Sequence, residues 1–359
     1  MRLRTGGLER YTADERRLVE WLSGVVRGEE RPLEPLSDEL VVLVRRSRLE
    51  PLVALSGSDD PRLARSVARF FARTVAVEAA SQTVVDLLRD AGVACVTLKG
   101  PALAARYWGD VARRASSDVD ILVAPSDLAR AETALADAGL VKRSDYPDWF
   151  QRHWHFHVTL SLPRTRMSVE LHWSLVSHEL GRLPVERMVA SAEWVTCGRF
   201  ELPSLEASWQ LVATSIHCFQ HLFSLRELID VALVARRLGA GDWERAVDEA
   251  RAAGLGGALY YAVTVSAERL GWCPPPVVLG LRPGVVRDAL VRSYVRRLPA
   301  TSVAPPPLRR LGRFVTPLAA GSAGRGLAAL PRSLTRGLLL MRVVERLRFA
   351  GRLLRRGGR

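Results

Sequence analysis

Cysteine is scarce in this sequence of 359 residues, and it never occurs in close pairs. No CxxC motif is present, and the four cysteines lie far apart, as Cys95, Cys197, Cys218 and Cys273. Zinc ribbons and disulfide frameworks both need several cysteines at short spacings, so this distribution excludes both classes. We therefore expect a protein of the reducing cytoplasm.

Long apolar runs are absent as well. The start, MRLRTGGLERYTADERR, lacks the apolar core of a signal peptide. No stretch reaches the eighteen or more uninterrupted apolar residues that a membrane-spanning helix needs. From this pattern we expect a soluble protein that is at most attached to a membrane surface.

Lysine is nearly absent too, because the 52 basic residues include only Lys99 and Lys142 as lysines. A preference for arginine is typical of a genome-wide codon bias and says little about function. It does draw attention to Lys99, since lysine presents a compact point charge where arginine presents a planar fork.

The net charge of +14 is unevenly spread along the chain. The last sixty residues are rich in arginine and nearly devoid of acid, and the stretch GLLLMRVVERLRFAGRLL combines an apolar stripe with a cationic face. Such a stretch forms a solvated helix face, or it contacts a membrane surface or a partner protein. Because no motif that reads RNA or DNA is visible, we expect no specific nucleic-acid partner.

Hydrophobic residues make up 48% of the chain, which is enough for an ordered core and for two domains. We predict an N-terminal helical segment (1–85), a central α/β domain (86–180), a helical domain (181–300) and a basic tail (301–359). Helix start and stop signals support the two helical parts. Thr12 and Glu15 have capping-box spacing, and later apolar stripes at helical spacing occur in PSLEASWQLVATSIHCFQHLF, SLRELIDVALVARRLG and GDWERAVDEARAAG.

Strands and helices alternate in the central domain. Ser126 is a candidate N-cap for the helix SDLARAETALADAG. The predicted strands are VACVTL (93–98), DVDILV (118–123), and the two arms of a hairpin, HWHFHVTLSL (153–162) and MSVELHWSLV (167–176). This order predicts an α+β fold, in which a small mixed sheet is flanked by N-terminal helices and a C-terminal helical domain.

Two aspartates lie at the start of the strand DVDILV. Because side chains alternate along a strand, Asp118 and Asp120 share one face, with Cα atoms roughly 6.5–7 Å apart. In SVELHW, Glu170 and His172 also share a face, so pairing of the two strands would bring Glu170 to the aspartates. Close carboxylates repel each other, and solvent, an arginine or metal ions must offset their charge. Several oxygen ligands close together are what a two-metal site for phosphoryl transfer requires.

Lys99 ends the strand before these aspartates, and Gly100 follows it directly. Glycine lets the backbone approach a ligand closely, and a lysine ammonium is a good partner for phosphate oxygens. The pair Lys99-Gly100 is therefore a candidate binding point for a triphosphate.

The stretch LKGPALAARYWGDVARRASSDVDILV, followed by SVELHWSL, resembles the nucleotidyltransferase-like proteins of the polymerase-beta-type superfamily, in a bacterial branch with many uncharacterised members. The resemblance covers about residues 85–180, and HCFQHLFSLRELIDVALV looks like that branch's second domain. It implies transfer of a nucleoside monophosphate from an NTP, with ATP as the first choice, to a hydroxyl or phosphate of a small-molecule or protein acceptor.

The same resemblance implies two Mg²⁺ ions as cofactors. Carried over by position, the catalytic and metal-binding residues are Asp118, Asp120 and Glu170. The residues that would contact the nucleotide are Lys99, Gly100, Arg114, Ser117 and His172. In this chain Lys99-Gly100 stands where the superfamily usually has Gly-Ser.

Other readings of the sequence stay open. The chain could be a non-catalytic nucleotide-binding partner or scaffold of a biosynthetic enzyme, or an accessory protein that acts at a surface through its basic tail. His153, His155 and His157 alternate on one strand, which favours a polar cleft lining or a solvated face over a zinc site. His217 and His221 are four apart on a helix, which favours packing or acceptor contact, and Asp230 is a candidate hydrogen-bond partner for one of them.

Overall fold

A computed structural model describes residues 11–29, 31–143, 152, 155–178, 180–299 and 315. The predicted contributions of His153 and of the Arg-rich stretch beyond residue 315 lie outside these described residues. Within them, helices surround a mixed β-sheet, so the predicted α+β class is confirmed. No helix of the described part is both long and apolar enough to cross a bilayer.

The N-terminal part is helical, as its start and stop signals predict. The Thr12 side chain accepts a hydrogen bond from the Glu15 amide, and Glu15 reaches back to the Thr12 amide, which confirms the capping box. Asp60 caps the longest helix, whose first residue is a proline. The helices are α1 (Ala13–Arg27), α2 (Asp38–Arg46), α3 (Glu50–Leu55) and α4 (Pro61–Asp90).

Seven strands of the described chain form one sheet. In chain order they are β1 (Cys95–Thr97), β2 (Val119–Val123), β3 (Val141–Lys142), β4 (His157–Ser161), β5 (Ser168–His172), β6 (Glu193–Cys197) and β7 (Phe200–Ser204). Their order across the sheet is β3-β4-β5-β2-β1-β7-β6. The predicted hairpin is β4 paired antiparallel with β5, and β5 pairs parallel with β2.

Strand β2 lies at the centre of the sheet and is buried on both faces. Val119, Ile121 and Val123 pack into a hydrophobic core shared with α4 and with α6 (Leu128–Asp137). Leu122 points the other way, into a core shared with the helical part of the chain. Asp120 shares the face of Leu122, because side chains two apart in a strand point the same way.

Further helices cover that second face. The short α5 (Pro101–Leu103) continues as a π-helical turn (Ala104–Trp108). The later helices are α7 (Val185–Ala190), α8 (Ala207–Gln220), α9 (Leu225–Ala235), α10 (Ala240–Ala252), α11 (Gly256–Leu270) and α12 (Val285–Val295). Helices α1 and α2 belong to the same hydrophobic core as α8, α9 and α11. The division into four domains stays a prediction.

Two local predictions are wrong. Ser126 lies in a 3₁₀ turn (Pro125–Asp127) that precedes α6, and it does not cap that helix. The β6–β7 hairpin was not predicted either, since the apolar stripe that starts at Pro203 indicates a helix, and this helix begins only at Ala207. Pro203 lies opposite Trp194 in the β6–β7 pair, and on the other side the described part of β7 pairs with β1 only at Ser204, so the β1 ladder needs no amide from Pro203.

Glu50 is a buried carboxyl at the start of α3. Burial raises its pKa, although Arg45, Arg48 and Arg69 oppose the rise. The pKa of Glu50 is therefore higher in the folded than in the unfolded protein. Its contribution to the free energy of unfolding is fully present below the unfolded-state pKa, and it is lost as the pH rises through the folded-state pKa.

We therefore expect Glu50→Gln to increase the free energy of unfolding at pH 8 by about 1 kcal/mol, the cost of a poorly solvated buried polar group. The gain should shrink as the pH falls toward 4, where the wild-type carboxyl is protonated. Urea unfolding across this pH range measures it, with the exposed Glu39→Gln as the control. A gain of equal size at both ends of the range would contradict the assignment.

Candidate active site

Three carboxylates meet where β2 and β5 lie side by side. The parallel register places Glu170 directly opposite Asp120, and Asp118 precedes β2 on the same face. Oxygen atoms of Asp118, Asp120 and Glu170 all lie within 4.8 Å of one another. The strand pairing expected from the sequence therefore exists, and it brings the three acids into one cluster.

Lys99 offsets part of the negative charge of this cluster. Its Nζ lies 3.2 Å from Oδ1 of Asp120 and 3.8 Å from Oδ2 of Asp118. Burial is the largest influence on Lys99 and opposes its charge, yet Asp120, Asp118 and Glu170 together hold its pKa above the ordinary value. The ammonium is therefore charged at neutral pH. The counter-charge at the aspartates is a lysine, which the sequence analysis did not consider.

His172 is the second polar group that contacts the acids. Its Nε2 lies 3.3 Å from Oδ1 of Asp120 and 3.4 Å from Oε2 of Glu170. The hydrogen bond from His172 lowers the pKa of Glu170 to about 2, against the effect of burial. Burial opposes the charge of His172, but its bonds to the two acids hold its pKa above the usual value. Glu170 is thus ionised at every physiological pH.

The carboxylates fit a hard divalent cation. Oδ2 of the buried Asp120 has no hydrogen-bond partner among the described residues. An ionised oxygen held out of water in this way is costly unless it meets a cation or a donor. Mg²⁺ is bound through one or two carboxylates together with substrate phosphates. Asp118, Asp120 and Glu170 are the residues that would hold it.

The remaining predicted nucleotide-binding residues lie close to the two aspartates. Ser117 donates a hydrogen bond to Oδ1 of Asp118, at 3.0 Å. A small cleft is lined by Lys99, Gly100, Arg114, Ser117 and their neighbours. The phosphate-binding roles of these residues stay predictions.

Arg114 is paired away from the acids. Its guanidinium makes two hydrogen bonds of 2.8 and 2.7 Å to Asp230 on α9, and both side chains are only 2% exposed. Trp108 donates a third hydrogen bond, of 2.9 Å, to the same carboxylate. This buried pair fixes the loop before β2 to the helical part. Asp230 thus has Arg114 and Trp108 as its partners, and the predicted hydrogen bond from Asp230 to His217 or His221 is not formed.

A cavity of about 270 Å³ lies between the acids and α8. On the sheet side it is lined by Lys99, the three acids, His157 and His172, which confirms His157 as part of a polar cleft lining. The opposite wall is lined by Ala213, Thr214, Ile216, His217, Gln220 and His221. Phe156, Thr214 and Gln220 were missed in the sequence, although a polar glutamine between two histidines on an otherwise apolar helix was an available signal.

Three histidines of this cavity, His157, His217 and His221, are neutral at pH 7. Burial, aided by His172, lowers the pKa of His157 to about 4. Burial likewise holds the pKa of His217 well below its usual value and lowers that of His221. The wall opposite the acids therefore offers uncharged hydrogen-bonding groups and apolar surface.

A second group of possible metal ligands consists of His217, His221 and Glu227. The Glu227 carboxylate, however, already accepts hydrogen bonds from Arg226 and from Ser224. Lys99 and Arg226 also place positive charge near His217. These contacts favour the packing or acceptor-contact reading of the two histidines over a metal site.

Gly100 is required by its backbone conformation. Its φ of 75° and ψ of −138° lie in a region that residues with a Cβ rarely adopt, while an added Cβ would make only an ordinary contact, at 4.0 Å from Oγ of Ser116. We expect Gly100→Ala to lower the free energy of unfolding by about 1–3 kcal/mol, measured by urea unfolding. Gly241→Ala in α10, in open space and with an ordinary φ, is the matched control and should be neutral or stabilising. Equal effects of the two variants would contradict this reading.

Comparison with protein families gives a match that includes all of these residues. The model of a family described as uncharacterised nucleotidyltransferase matches residues 37–271, which is more than half of the chain. The chain belongs to this family. A search of curated proteins found no match. Membership in this nucleotidyltransferase family confirms the resemblance seen in the sequence, and it indicates a transferase that acts on a nucleotide with, typically, a divalent metal.

Proposed function

We propose that this nucleotidyltransferase family member transfers a nucleoside monophosphate from an NTP, ATP first, to a hydroxyl or phosphate oxygen of an acceptor. The observation that carries the proposal is the convergence of Asp118, Asp120 and Glu170 at the wall of a cavity. The acceptor is a small molecule or a protein.

In this reaction an acceptor oxygen attacks the α-phosphorus, the bond from that phosphorus to the bridging oxygen breaks, and pyrophosphate leaves. Mg²⁺, predicted as two ions, supplies charge neutralisation to the phosphoryl oxygens when bound. Asp118 and Asp120 would hold the metal. Glu170, ionised at neutral pH, accepts a hydrogen bond from the attacking hydroxyl, orients it and takes up its proton as the new bond to phosphorus forms.

The charges around the three acids suggest on which side of the site each substrate binds. Lys99 carries positive charge at the aspartates and lines the small cleft beside them together with Gly100, so we assign the triphosphate to that side. The wall formed by α8 presents neutral histidines, Gln220 and apolar side chains, and we assign the acceptor to that side.

A non-catalytic nucleotide-binding protein is the second candidate function. The observation that favours it is the ammonium of Lys99 at the aspartates, which already offsets charge without a metal. Calorimetry would then show NTP binding, while no pyrophosphate would be released with any acceptor offered.

The deciding experiment incubates the full chain with Mg²⁺, cell extract and each labelled NTP in turn. We expect one NTP to release pyrophosphate and to leave its label on one extract component, which mass spectrometry then identifies. NTP binding without label transfer across a broad acceptor panel would favour the non-catalytic function. The cytoplasmic location and the surface contact through the tail stay predictions.

A further inference from the structure

Lys99 is the one cation that the structure places between the two aspartates within the described residues. Its Nζ lies 3.2 Å from Asp120 and 3.8 Å from Asp118, so a single ammonium bridges both carboxylates. The lysine side chain is 20% exposed and Asp120 is 2% exposed, so water screens this pair only weakly. In a chain with only two lysines, the one at this position provides a compact point charge.

The two sides of the aspartate pair differ in what they offer. On one side, Oδ1 of Asp120 faces Lys99 and also His172. On the other side, Oδ2 of Asp120 is buried and has no partner among the described residues. Glu170 completes the set of three acids; its oxygen lies 3.4 Å from Nε2 of His172, and its charge also raises the pKa of Lys99. An ammonium thus already lies at Oδ1 of Asp120, whereas the buried Oδ2 has no hydrogen-bond partner among the described residues.

We propose that Lys99 permanently takes the place of one of the two divalent cations, so that the site binds a single divalent cation together with the nucleotide. This inference rests on the proposed function and replaces its two-ion prediction. A second divalent cation at the aspartates would meet the Lys99 ammonium at the same oxygens. Lys99 would also contact the triphosphate, because it lines the cleft to which we assign that group.

Native mass spectrometry tests this by counting Mn²⁺ ions in the complex of the full chain with a non-hydrolysable α,β-methylene ATP analogue. Asp120→Asn sets the background of non-specific adducts. We expect one Mn²⁺ above background in the wild type and two in Lys99→Met, because removal of the ammonium opens the second position. Lys142→Met, which removes the other lysine of the chain, should bind one ion. Thermal unfolding checks that each variant folds, and Lys99→Gln replaces Lys99→Met if the latter does not.

The outcomes separate this inference from the proposed function. Two ions in the wild type would overturn the role of Lys99 and leave the metal-dependent transfer intact. One ion in the wild type and still one in a folded Lys99 variant would overturn it as well. If the wild type binds no ion beyond the Asp120→Asn background, the metal site itself is refuted, and the proposed reaction fails with it.

Discussion

Asp120→Asn should lower NTP-dependent pyrophosphate release by about a thousandfold or more. Asp120 is central to the acid cluster, because its Oδ1 contacts Lys99 and His172 while its buried Oδ2 has no hydrogen-bond partner among the described residues. Asparagine has the same shape but carries no charge. Cation-mediated stabilisation of phosphoryl transfer amounts to several kcal/mol, and about 4 kcal/mol corresponds to a thousandfold change in rate.

The measurement follows pyrophosphate with the NTP and acceptor that the labelling experiment selects. Asp248→Asn is the matched control, since Asp248 is 72% exposed on α10 and pairs only with Arg251 among the described residues. It should keep wild-type activity. Circular dichroism confirms that both variants are folded. Pyrophosphate release by folded Asp120→Asn within tenfold of the wild type would remove the three-acid mechanism.

Arg114→Met should lower the free energy of unfolding by about 3–5 kcal/mol. The substitution leaves the Asp230 carboxylate buried with Trp108 as its remaining donor, at a position only 2% exposed. Removal of one partner of a buried ion pair is costly because the other charge stays unpaired in a region of low dielectric constant. Urea unfolding measures the loss.

Two further variants separate pairing from packing. The double variant Arg114→Met with Asp230→Leu should recover much of the stability, since no charge is then left unpaired. Arg251→Met breaks the exposed pair with Asp248 and should cost at most about 1 kcal/mol. A loss for Arg114→Met no larger than that of Arg251→Met would show that the buried pair does not hold the helical part to the sheet.

The geometry of the pair also bears on the sequence interpretation of Arg114. Its position before the aspartates suggested a phosphate contact, while the structure turns the guanidinium toward α9, 116 residues further along the chain. Kinetics of a folded Arg114 variant, compared through KM for the NTP, would test the phosphate role directly. An unchanged KM would assign Arg114 to positioning of the loop alone.

Much of the fold was predictable because its signals are local. The capping box of α1, the alternation of Asp118, Asp120 and their apolar neighbours, and the hairpin that carries Glu170 each depend on residues a few positions apart. The β6–β7 hairpin was missed because Pro203 gives a local signal against a strand, and only pairing with β6 and β1 makes the segment extended.

The sequence by itself predicted the α+β class and the family, and it singled out the three acids as candidates, since strand periodicity and an ordered motif depend on neighbouring residues. Tertiary structure alone decided that β5 pairs in register with β2, that Lys99 bridges the aspartates, and that Arg114 binds Asp230. Each of these contacts depends on strand register and helix packing across long stretches of chain. Charge and shape complementarity between distant segments, which no local pattern encodes, selects the partners.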